Sequence, residues 1–482
     1  MQVHKRIFLI LPVIVCLISG AFFSCEEEKF MESPGAQLNF STDTVMFDTI
    51  FTTIGSTTKR FTVKNPYDKS LHINSIRLAG GKDSDYRLNI NGTPTNSMTD
   101  IKLDGNDSLY IFVEVTVDPN NHHSPMVVKD SVIFNINDNL QDIKLVAWGQ
   151  DVHLINGRLL NTQTWKADKP YLIYNSAMVD TQQTLTIEPG VKVHFHRNSR
   201  FFVAGTLISQ GTKDDPVVFT SDRLEEDYSD VPGQWDGICL MPGSKKNNLH
   251  FTHIKNAIIG LQVDTLGNPS VPTLTLSNSK IEHMTYAGIY ARGTTIKAYN
   301  NVISDCGEFA VALTLGGSYE FYHTTIANYW ASSTRNTPSL FLNNHYIDTS
   351  DRLQIRELEK ALFSNCIIYG NQTNEFDYNF ETRKGEQSYN YTFDHCLIKM
   401  NRENQGHPDN YRKVMLNKDP LFVSVNKDNF RLDTLSPAID KGDIKTGERF
   451  PLDILNNSRA SDEAPDLGAY EYIPGSGQEE NE

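Results

Sequence analysis

The chain has 482 residues and a formal net charge of −15 at pH 7, with 39% hydrophobic and 21% charged residues. This length accommodates more than one domain, and the hydrophobic share is sufficient to fill a large buried core. The acidic balance argues against general nucleic-acid binding, which needs a basic surface to displace counterions from the phosphates.

Residues 1–24 predict a signal peptide. Lys5 and Arg6 precede an apolar stretch over residues 7–23, which is too short and wrongly flanked for a stable membrane span. The stretch ends at Ser24 and Cys25, and a cysteine at this place resembles the lipid acceptor of bacterial lipoproteins. The resemblance implies cleavage before Cys25 and anchoring through acyl chains on that residue. An ordinary secreted protein, in which Cys25 is incidental, is the alternative.

Residues 25–35 form a predicted acidic tether. Glu26, Glu27 and Glu28 directly follow the cysteine, and such a run resembles the surface-export signal of some Gram-negative lipoproteins. A solvated linker would have the same composition. We therefore predict a lipid-anchored protein of the outer membrane that faces outward from the cell.

Residues 36–150 predict a β-sandwich. Short runs of alternating apolar residues follow one another at the intervals of sandwich strands, and no helical pattern competes with them. The segment resembles the immunoglobulin-like modules of cilium-associated and bacterial surface proteins, on its strand order and its turn at Val63-Lys64-Asn65-Pro66. The resemblance implies a stalk, with a binding module in its own right as the alternative.

Residues 151–472 contain six copies of a pattern that reads apolar, any, Asn or His, small or apolar, any, usually apolar. A recurrence about every 25 residues, with one longer interval for an insertion, predicts a solenoid. Because the runs are rich in β-branched and aromatic residues, we expect stacked coils of short parallel strands, with the Asn and His side chains forming a ladder at one bend. The ladder positions are His253, Asn278, Asn300, His323, Asn365 and His395.

This pattern resembles the right-handed parallel β-helix of the pectate-lyase-like superfamily. Leu185–Phe195 and the motif Gln234-Trp-Asp-Gly-Ile238 are similar to opening coils of secreted β-helix proteins, and Asp466–Tyr472 is similar to the closing segment of bacterial ones. The predicted fold class is all-β, an immunoglobulin-like sandwich followed by a right-handed parallel β-helix. Residues 473–482 are predicted to be a disordered acidic tail.

Cys366 and Cys396 occupy the same inward position in adjacent coils. Stacked backbones would place their Cα atoms ~5 Å apart, which a disulfide allows. Parallel side chains point the same way, so we favour an apolar stack of free thiols over a disulfide.

The resemblance to β-helix enzymes implies two catalytic patterns, and the sequence matches neither. Lyases of the superfamily hold Ca²⁺ between carboxylates on adjacent coils and use a Lys or Arg base, and no repeat-spaced set of this kind is recognised. The hydrolases need a pair of acids in a set of short motifs, whereas Asp214-Asp215 and Gly406-His407 lack their partner motifs. We therefore predict no catalytic residues and no cofactor.

Two groups of residues raise the question of a metal. His194 and His196 alternate on one strand, but no carboxylate accompanies them, and we interpret the strand as solvent-facing. The closing region is acidic enough to suggest Ca²⁺, although turn-forming aspartates explain it at least as well; its members are Asp440, Asp443, Asp453, Asp462 and Asp466. No metal site is predicted.

The candidate ligand-binding residues are aromatic side chains that could line a groove for a polymer, and arginines of an insertion that breaks the repeat. They are Tyr286, Tyr290, Tyr299, Tyr322, Trp330, Arg335 and Arg352. Packing in the core or at its edge is the alternative for the aromatic ones. The insertion lies between residues 332 and 360 and contains a helix-like stretch from Leu353 to Leu362.

Together these features predict a surface-exposed, non-catalytic glycan-binding or adhesion scaffold. The alternatives are a divergent polysaccharide lyase or glycoside hydrolase, and a structural subunit of an outer-membrane protein complex. An enzyme would show outward carboxylates around a Lys or Arg across adjacent coils, a glycan binder an uncharged aromatic groove, and a subunit an exposed apolar patch. The predicted partners are the membrane, through Cys25, and a polysaccharide or an outer-membrane protein.

Overall fold

The computed structural model describes residues 30–52, 54–118, 126–268, 270–382, 390–401 and 407–474. The signal peptide, Cys25 and residues 475–482 of the predicted tail lie outside these ranges. The chain divides into two compact units, residues 1–150 and 151–482. Within the described ranges, no helix is both long and apolar enough to cross a membrane.

The first unit is a sandwich of two five-stranded sheets, in which all strand pairs but one are antiparallel. Alternate residues of each strand face a shared core, as the sandwich pattern requires. In sheet order, the first sheet contains Asn39–Phe40, Lys59–Lys64, Ser108–Val115, Tyr86–Ile90 and Thr93–Pro94, and the second contains Thr44–Phe51, Asn139–Gln150, Met126–Ile136, Leu71–Leu78 and Ser97–Leu103. A 3-10 turn covers Gly81–Asp83.

The second unit is a parallel β-helix whose coils contribute strands to three faces. Face 1 is a ten-stranded sheet formed by Gln163–Trp165, Thr184–Ile187, Thr206–Gln210, Asn247–His250, Leu274–Ser277, Thr295–Tyr299, Gly317–Tyr322, Leu358–Ser364, Tyr391–Asp394 and Tyr411–Arg412. Faces 2 and 3 belong to one eighteen-stranded sheet, because the first two strands, His153–Leu160 and Tyr171–Val179, span both. The all-β prediction, a sandwich followed by a parallel β-helix, is confirmed.

Faces 2 and 3 separate at a bend after those first two strands. Face 2 contains Lys192–Phe195, Val217–Ser221, Thr252–Lys255, Lys280–Glu282, Val302–Ser304, Thr325–Asn328, Ile367–Gly370, Leu397–Ile398 and Met415–Leu416. Face 3 contains Arg200–Val203, Trp235–Leu240, Ala257–Val263, Ala287–Arg292, Phe309–Thr314, Leu340–Asn343 and Phe376–Asn379.

The core of the β-helix is built from like residues stacked in register. Phe321, Phe363 and Phe393 stack with successive ring centroids 5.1 Å apart, which is close to the spacing of neighbouring strands. Cys366 and Cys396 are buried in the same core as free thiols, as predicted. Each coil therefore buries its apolar face against the next one.

The bend between faces 1 and 2 carries a ladder of residues in the left-handed conformation, with φ between +42° and +55°: Asn278, Asn300, His323, Asn365 and His395. Asn300 Nδ2 donates to Asn278 Oδ1 over 3.0 Å, and Asn365 Nδ2 lies 3.1 Å from His323 Nε2. Asn and His tolerate this backbone conformation better than most residues.

His253, expected as the first rung, is not in the ladder. It pairs with Lys280 on the next coil, two residues beyond Asn278. The rung position is taken by Phe251, which has a φ of +41°. Thr252-His253-Ile254 resembles the repeat pattern, and for this reason the predicted rung lies two residues beyond the true one.

The prediction of a helix from Leu353 to Leu362 is wrong. This stretch forms the strand Leu353–Ile355, which pairs with His345–Ile347 in a hairpin, and the start of Leu358–Ser364 on face 1. The second of these strands pairs with Gly317–Tyr322. The backbone hydrogen bonds to this neighbouring coil override the local helical preference of the sequence.

A closing segment, residues 417–474, covers the outer side of face 2. It contains the hairpin Phe422–Ser424 and Asn429–Leu432, a short helix Ile444–Arg449 and a 3-10 turn Val425–Lys427. Another 3-10 turn, Pro408–Asn410, precedes the segment. Its apolar side chains pack on Val302, Ala327, Ile367 and Leu397, which are at most 2% exposed. Face 2 therefore has apolar residues on both sides.

The aspartates of the closing segment accept hydrogen bonds from its own turns. Asp453 accepts from the backbone N–H groups of Leu455, Asn457 and Glu471. Asp466 accepts from those of Asp440 and Tyr472. These contacts are of the kind that turn-forming aspartates make.

Candidate functional site

The seven candidate ligand-binding residues lie in four separate places. Tyr299 and Tyr322 stack on Phe450 of the closing segment, with ring centroids 4.6 and 4.9 Å apart. Arg449 donates to the Tyr322 hydroxyl over 2.8 Å, and Tyr322 is only 4% exposed. The closing segment therefore occupies the surface that these two rings were expected to offer to a ligand.

Trp330 and Arg335 are buried, which contradicts their expected contact with a ligand. The Arg335 guanidinium binds both carboxylate oxygens of Glu375 at 2.7 and 2.9 Å, and both side chains are 0% exposed. The guanidinium also donates to the backbone of Asn328 and Thr337. Arg335 thus ties the insertion to the coils, a role that sequence spacing could not reveal.

Arg352 is the member of the set that lies in solvent. Its side chain is 71% exposed on the hairpin of the insertion, and it pairs with Asp348 over 3.2 Å. Surface pairs of this kind contribute little to stability.

Tyr286 and Tyr290 lie together on the outer side of face 3. Their ring centroids are 5.8 Å apart, and Tyr286 lies 6.2 Å from Phe309, which lies 5.5 Å from Phe341. All four rings are half-buried, whereas the neighbouring strand residues Ile289 and Ala291 face the core. We call these four residues the outer aromatic patch, and it extends across three successive coils.

Polar groups on the preceding coil, and Arg292 on the coil of Tyr290 itself, border the outer aromatic patch. Gln262 pairs in register with Tyr290, and Arg292 forms an ion pair with Asp264 over 2.7 Å. Such a border of hydrogen-bonding groups around aromatic rings suits a sugar, which has apolar ring faces and hydroxyl edges. Phe309 and Phe341 were not among the predicted residues, although the alternation of inward and outward residues along their strands is a signal that identifies them.

A second group of side chains lies at the bend between faces 2 and 3. His283 and Asp305 are stacked one coil apart in the left-handed conformation, with φ of +60° and +47°. Asp428, from the hairpin of the closing segment, lies 3.0 Å from His283 Nε2. Glu282 lies beside this stack and its carboxylate is 2.7 Å from His253 Nε2. We call His253, Glu282, His283, Asp305 and Asp428 the bend cluster.

The carboxyl groups of the bend cluster differ in acidity. Burial, together with the hydrogen bond to Asp428, raises the pKa of Asp305 to about 8. Burial alone would raise the pKa of Asp428 too, but hydrogen bonds from His283 and Asp305 outweigh it and lower that pKa. Near neutral pH, a protonated Asp305 therefore lies beside an ionised Asp428, which is the pairing that acid and base chemistry uses.

Lysine completes the surroundings of the bend cluster. Lys255 Nζ lies 3.8 Å from Glu282 and 3.5 Å from Asp230, whose side chain is 65% exposed. The sequence offered a signal for part of this group, because Glu282-His283 and Asp305 are one repeat apart. Asp428 could not be found this way, since it comes from outside the repeats.

His194, on the strand Lys192–Phe195, and His196, directly after that strand, do not share a solvent-facing site. His194 is only 6% exposed and its Nδ1 lies 2.8 Å from the carbonyl oxygen of Ser221. Burial lowers its pKa to about 4, so the ring is neutral at pH 7. His196 pairs with Asp222 over 2.7 Å. Among the described residues, no group of three or more His, Cys, Asp or Glu side chains is arranged to hold a metal ion.

Comparison with solved structures finds similarities to parts of the chain. The periplasmic chaperone SfaE is 22% identical over 24% of this chain and 58% of its own length, with a TM-score of 0.16. A family 123 glycoside hydrolase from Clostridium perfringens is 5% identical over 26% of each chain, with a TM-score of 0.18. The ASH / PapD-like domain of human CEP192 is 8% identical over 27% of this chain and 96% of its own, also with a TM-score of 0.18. The match thus spans less than two thirds of the first two structures, and no curated protein sequence matches the chain.

Two family profiles match the second unit. The pectate-lyase like beta helix domain matches residues 157–261, and the right handed beta helix region matches residues 260–412. The two matches meet at the strand Ala257–Val263 and together cover the three-faced coil described above. They also agree with the ladder and with the parallel pairing of every coil strand on the three faces. The second unit of this chain therefore belongs to the right-handed, pectate-lyase-like β-helix family.

Proposed function

We propose that the β-helix binds an extracellular polysaccharide without cleaving it. The observation that carries this proposal is the outer aromatic patch, in which four half-exposed rings follow one another across three coils. A solenoid presents such rings in a row, which suits a ligand that itself repeats. Family membership supports a polysaccharide-related role but fixes neither the polymer nor the chemistry.

Replacing Tyr290 by alanine should weaken polysaccharide binding by about 2–10-fold, because a stacked ring contributes roughly 0.5–1.5 kcal/mol beyond its buried area. Tyr286→Ala should have an effect of the same size. The measurement is affinity electrophoresis of the purified chain in gels that contain polygalacturonate, alginate, laminarin or xylan.

The matched control is Tyr346→Ala, since Tyr346 is 37% exposed on the hairpin of the insertion and lies outside the patch. It should leave mobility in every gel unchanged. Binding that survives the loss of both Tyr286 and Tyr290 would contradict the patch as the binding surface.

A second candidate function is cleavage of the polymer by the bend cluster. Asp305 would donate a proton to the leaving oxygen, and Asp428 would accept one. Asp428 lies close enough to raise the pKa of Asp305, so the two carboxyl groups are near neighbours, whereas glycoside hydrolases hold their acids ~5–9.5 Å apart. For this reason we place binding first.

If the bend cluster cleaves the polymer, Asp305→Asn should reduce the release of reducing or unsaturated ends by about 100-fold or more, as loss of a general acid does. The wild-type rate should fall as the pH rises through about 8, because Asp305 then loses its proton. Asp214→Asn, in an exposed turn, is the control. Absence of product from the wild-type chain on all four polymers would exclude this second function for them.

We also propose that the chain is anchored to the outer membrane through lipid on Cys25. The support is the order of basic, apolar and small residues that leads to Cys25. Cys25→Ser should move the full-length protein from the membrane pellet to the soluble fraction of lysed cells. An unchanged distribution would rule out the lipid as the main attachment.

A further inference from the structure

The ladder between faces 1 and 2 stops at Asn278. Asn278 Oδ1 accepts from Asn300, but the next rung toward the N-terminus is Phe251, which offers no side-chain acceptor. Among the described residues, Asn278 Nδ2 has no hydrogen-bond partner. The ladder thus ends on an amide donor directed toward the coil of Phe251.

Phe251 is held in a backbone conformation that a bulky residue rarely adopts. Its φ of +41° lies in the left-handed region, where a side chain of this kind is a conformational outlier. Such strain persists only where the surrounding structure enforces it, and it concentrates at functional sites. The ring is half-exposed and lies edge to face against His250, with centroids 4.7 Å apart.

A cavity of about 200 Å³ opens at this place. The residues that matter for its chemistry are Lys213, Phe251, His253, Asn278 and Lys280, and Ile454 and Leu455 of the closing segment form part of its wall. Pockets for drug-sized ligands measure ~300–1,000 Å³, so this cavity fits a smaller molecule. Its wall combines an aromatic ring and aliphatic side chains with nitrogen-bearing polar groups.

The charged residues in the wall are all basic. Lys213 and Lys280 are among the lining residues, and no Asp or Glu is. Tyr470 lies close enough to Lys280 to raise the pKa of its ammonium group, and burial, above all, raises the pKa of the Tyr470 hydroxyl, which is therefore neutral. The Glu282 carboxylate, whose charge helps to raise the pKa of Lys280, lies 2.7 Å from Nε2 of the wall residue His253. A cavity with two ammonium groups and a free amide donor favours an anion.

We propose that this cavity binds a small organic oxyanion, a molecule that carries one carboxylate, sulfate or phosphate group. The oxyanion is held by Lys213, Lys280 and Asn278 Nδ2, and the apolar part of the ligand packs on Phe251. The cavity lies at the bend between faces 1 and 2, so this site is separate from the outer aromatic patch on face 3. It goes beyond polysaccharide binding and does not depend on it.

The test is isothermal titration calorimetry of the full-length chain with inorganic phosphate, inorganic sulfate and glucuronate at constant ionic strength, with glucose as the neutral comparison. We expect saturable binding of at least one oxyanion and none of glucose. Tighter binding of glucuronate than of the inorganic ions would show that the ring contact with Phe251 contributes. Absence of binding by all three oxyanions would overturn the proposal.

Phe251→Asn gives two readouts of opposite sign. Asparagine tolerates the left-handed conformation and restores a rung, so the melting temperature should rise by roughly 2–4 °C, while oxyanion binding is lost or weakened about tenfold. A purely structural Phe251 would instead show a lower melting temperature and unchanged binding, which would overturn the proposal.

Lys213→Met and Lys280→Met test the charges without changing the ring. Each should weaken binding about tenfold or more, the effect of losing a hydrogen bond to a charged group. Lys245→Met, at an exposed lysine outside the cavity, should leave binding unchanged. If neither cavity variant weakens binding more than the control does, the site is not the one proposed. The Tyr290→Ala variant should bind oxyanions normally, which separates this proposal from the polysaccharide site.

Discussion

Replacing Gly237 by alanine is expected to destabilise the β-helix by about 3 kcal/mol or more. Gly237 has a φ of +106°, and a Cβ atom added there would lie 1.6 Å from the carbonyl oxygen of Ile259 on the next coil. The register between these two coils also shifts directly after Gly237, so the bulged strand brings that carbonyl close. The added Cβ would be fixed to one backbone and the carbonyl oxygen belongs to another, so no flexible side chain can move to relieve the contact. The measurement is the free energy of unfolding by urea, followed by circular dichroism.

The matched control for Gly237 is Gly243→Ala. Gly243 has a φ of +97°, but a Cβ added there would meet no atom within 4 Å. This variant should lose only the conformational part, about 1–2 kcal/mol. Equal losses at the two glycines would show that the contact with Ile259 relaxes and that the coil spacing does not depend on it.

Replacing Arg459 by methionine should lower the free energy of unfolding by about 3–5 kcal/mol, because it leaves the Glu471 carboxylate buried without its partner. Arg459 Nη1 donates to Glu471 over 2.9 Å, and both side chains are 0% exposed. Its Nη2 also donates to Asn300 Oδ1 over 3.2 Å. The closing segment is thus bound to the ladder through this guanidinium. Urea unfolding measures the loss.

The comparison variant is Arg352→Met, which removes an arginine from an ion pair at the surface instead of a buried one. The Arg352 side chain is 71% exposed, so this variant should change stability by less than about 1 kcal/mol. The double variant Arg459→Met with Glu471→Gln should recover part of the loss, since the uncompensated charge is removed. A loss at Arg459 no larger than that at Arg352 would contradict a structural role for the buried pair.

The motif Gln234-Trp-Asp-Gly-Ile238 shows why a short sequence can carry a fold. Trp235 is fully buried, stacks on Phe195 with centroids 3.9 Å apart, and donates from Nε1 to the carbonyl oxygen of Lys255. Gln234 links the same coil to Ser221 and to the carbonyl oxygens of the preceding loop. Gly237 permits the close approach of the next coil. These three residues of the motif thus hold the coil against its surroundings.

The candidate ligand residues were harder to place than the fold. Tyr286 and Tyr299 look alike in sequence, yet one lies on an open face and the other lies under Phe450. The difference arises from the closing segment, which is about 150 residues further along the chain. Arg335 was predicted to bind a ligand, and its burial was not foreseen because its partner Glu375 follows 40 residues later.

The sequence by itself determined the repeating part of this protein: the stacked coils, their parallel strands and most ladder positions. Every coil repeats the same inward and outward alternation, so each one states the pattern again and local errors such as His253 do not change the fold. The tertiary structure alone decided which outer surfaces remain open, which carboxyl groups meet at the bend cluster, and where the ladder ends in a cavity. These features depend on the irregular closing segment packing against distant coils, and no periodic signal records contacts made by a segment that does not repeat.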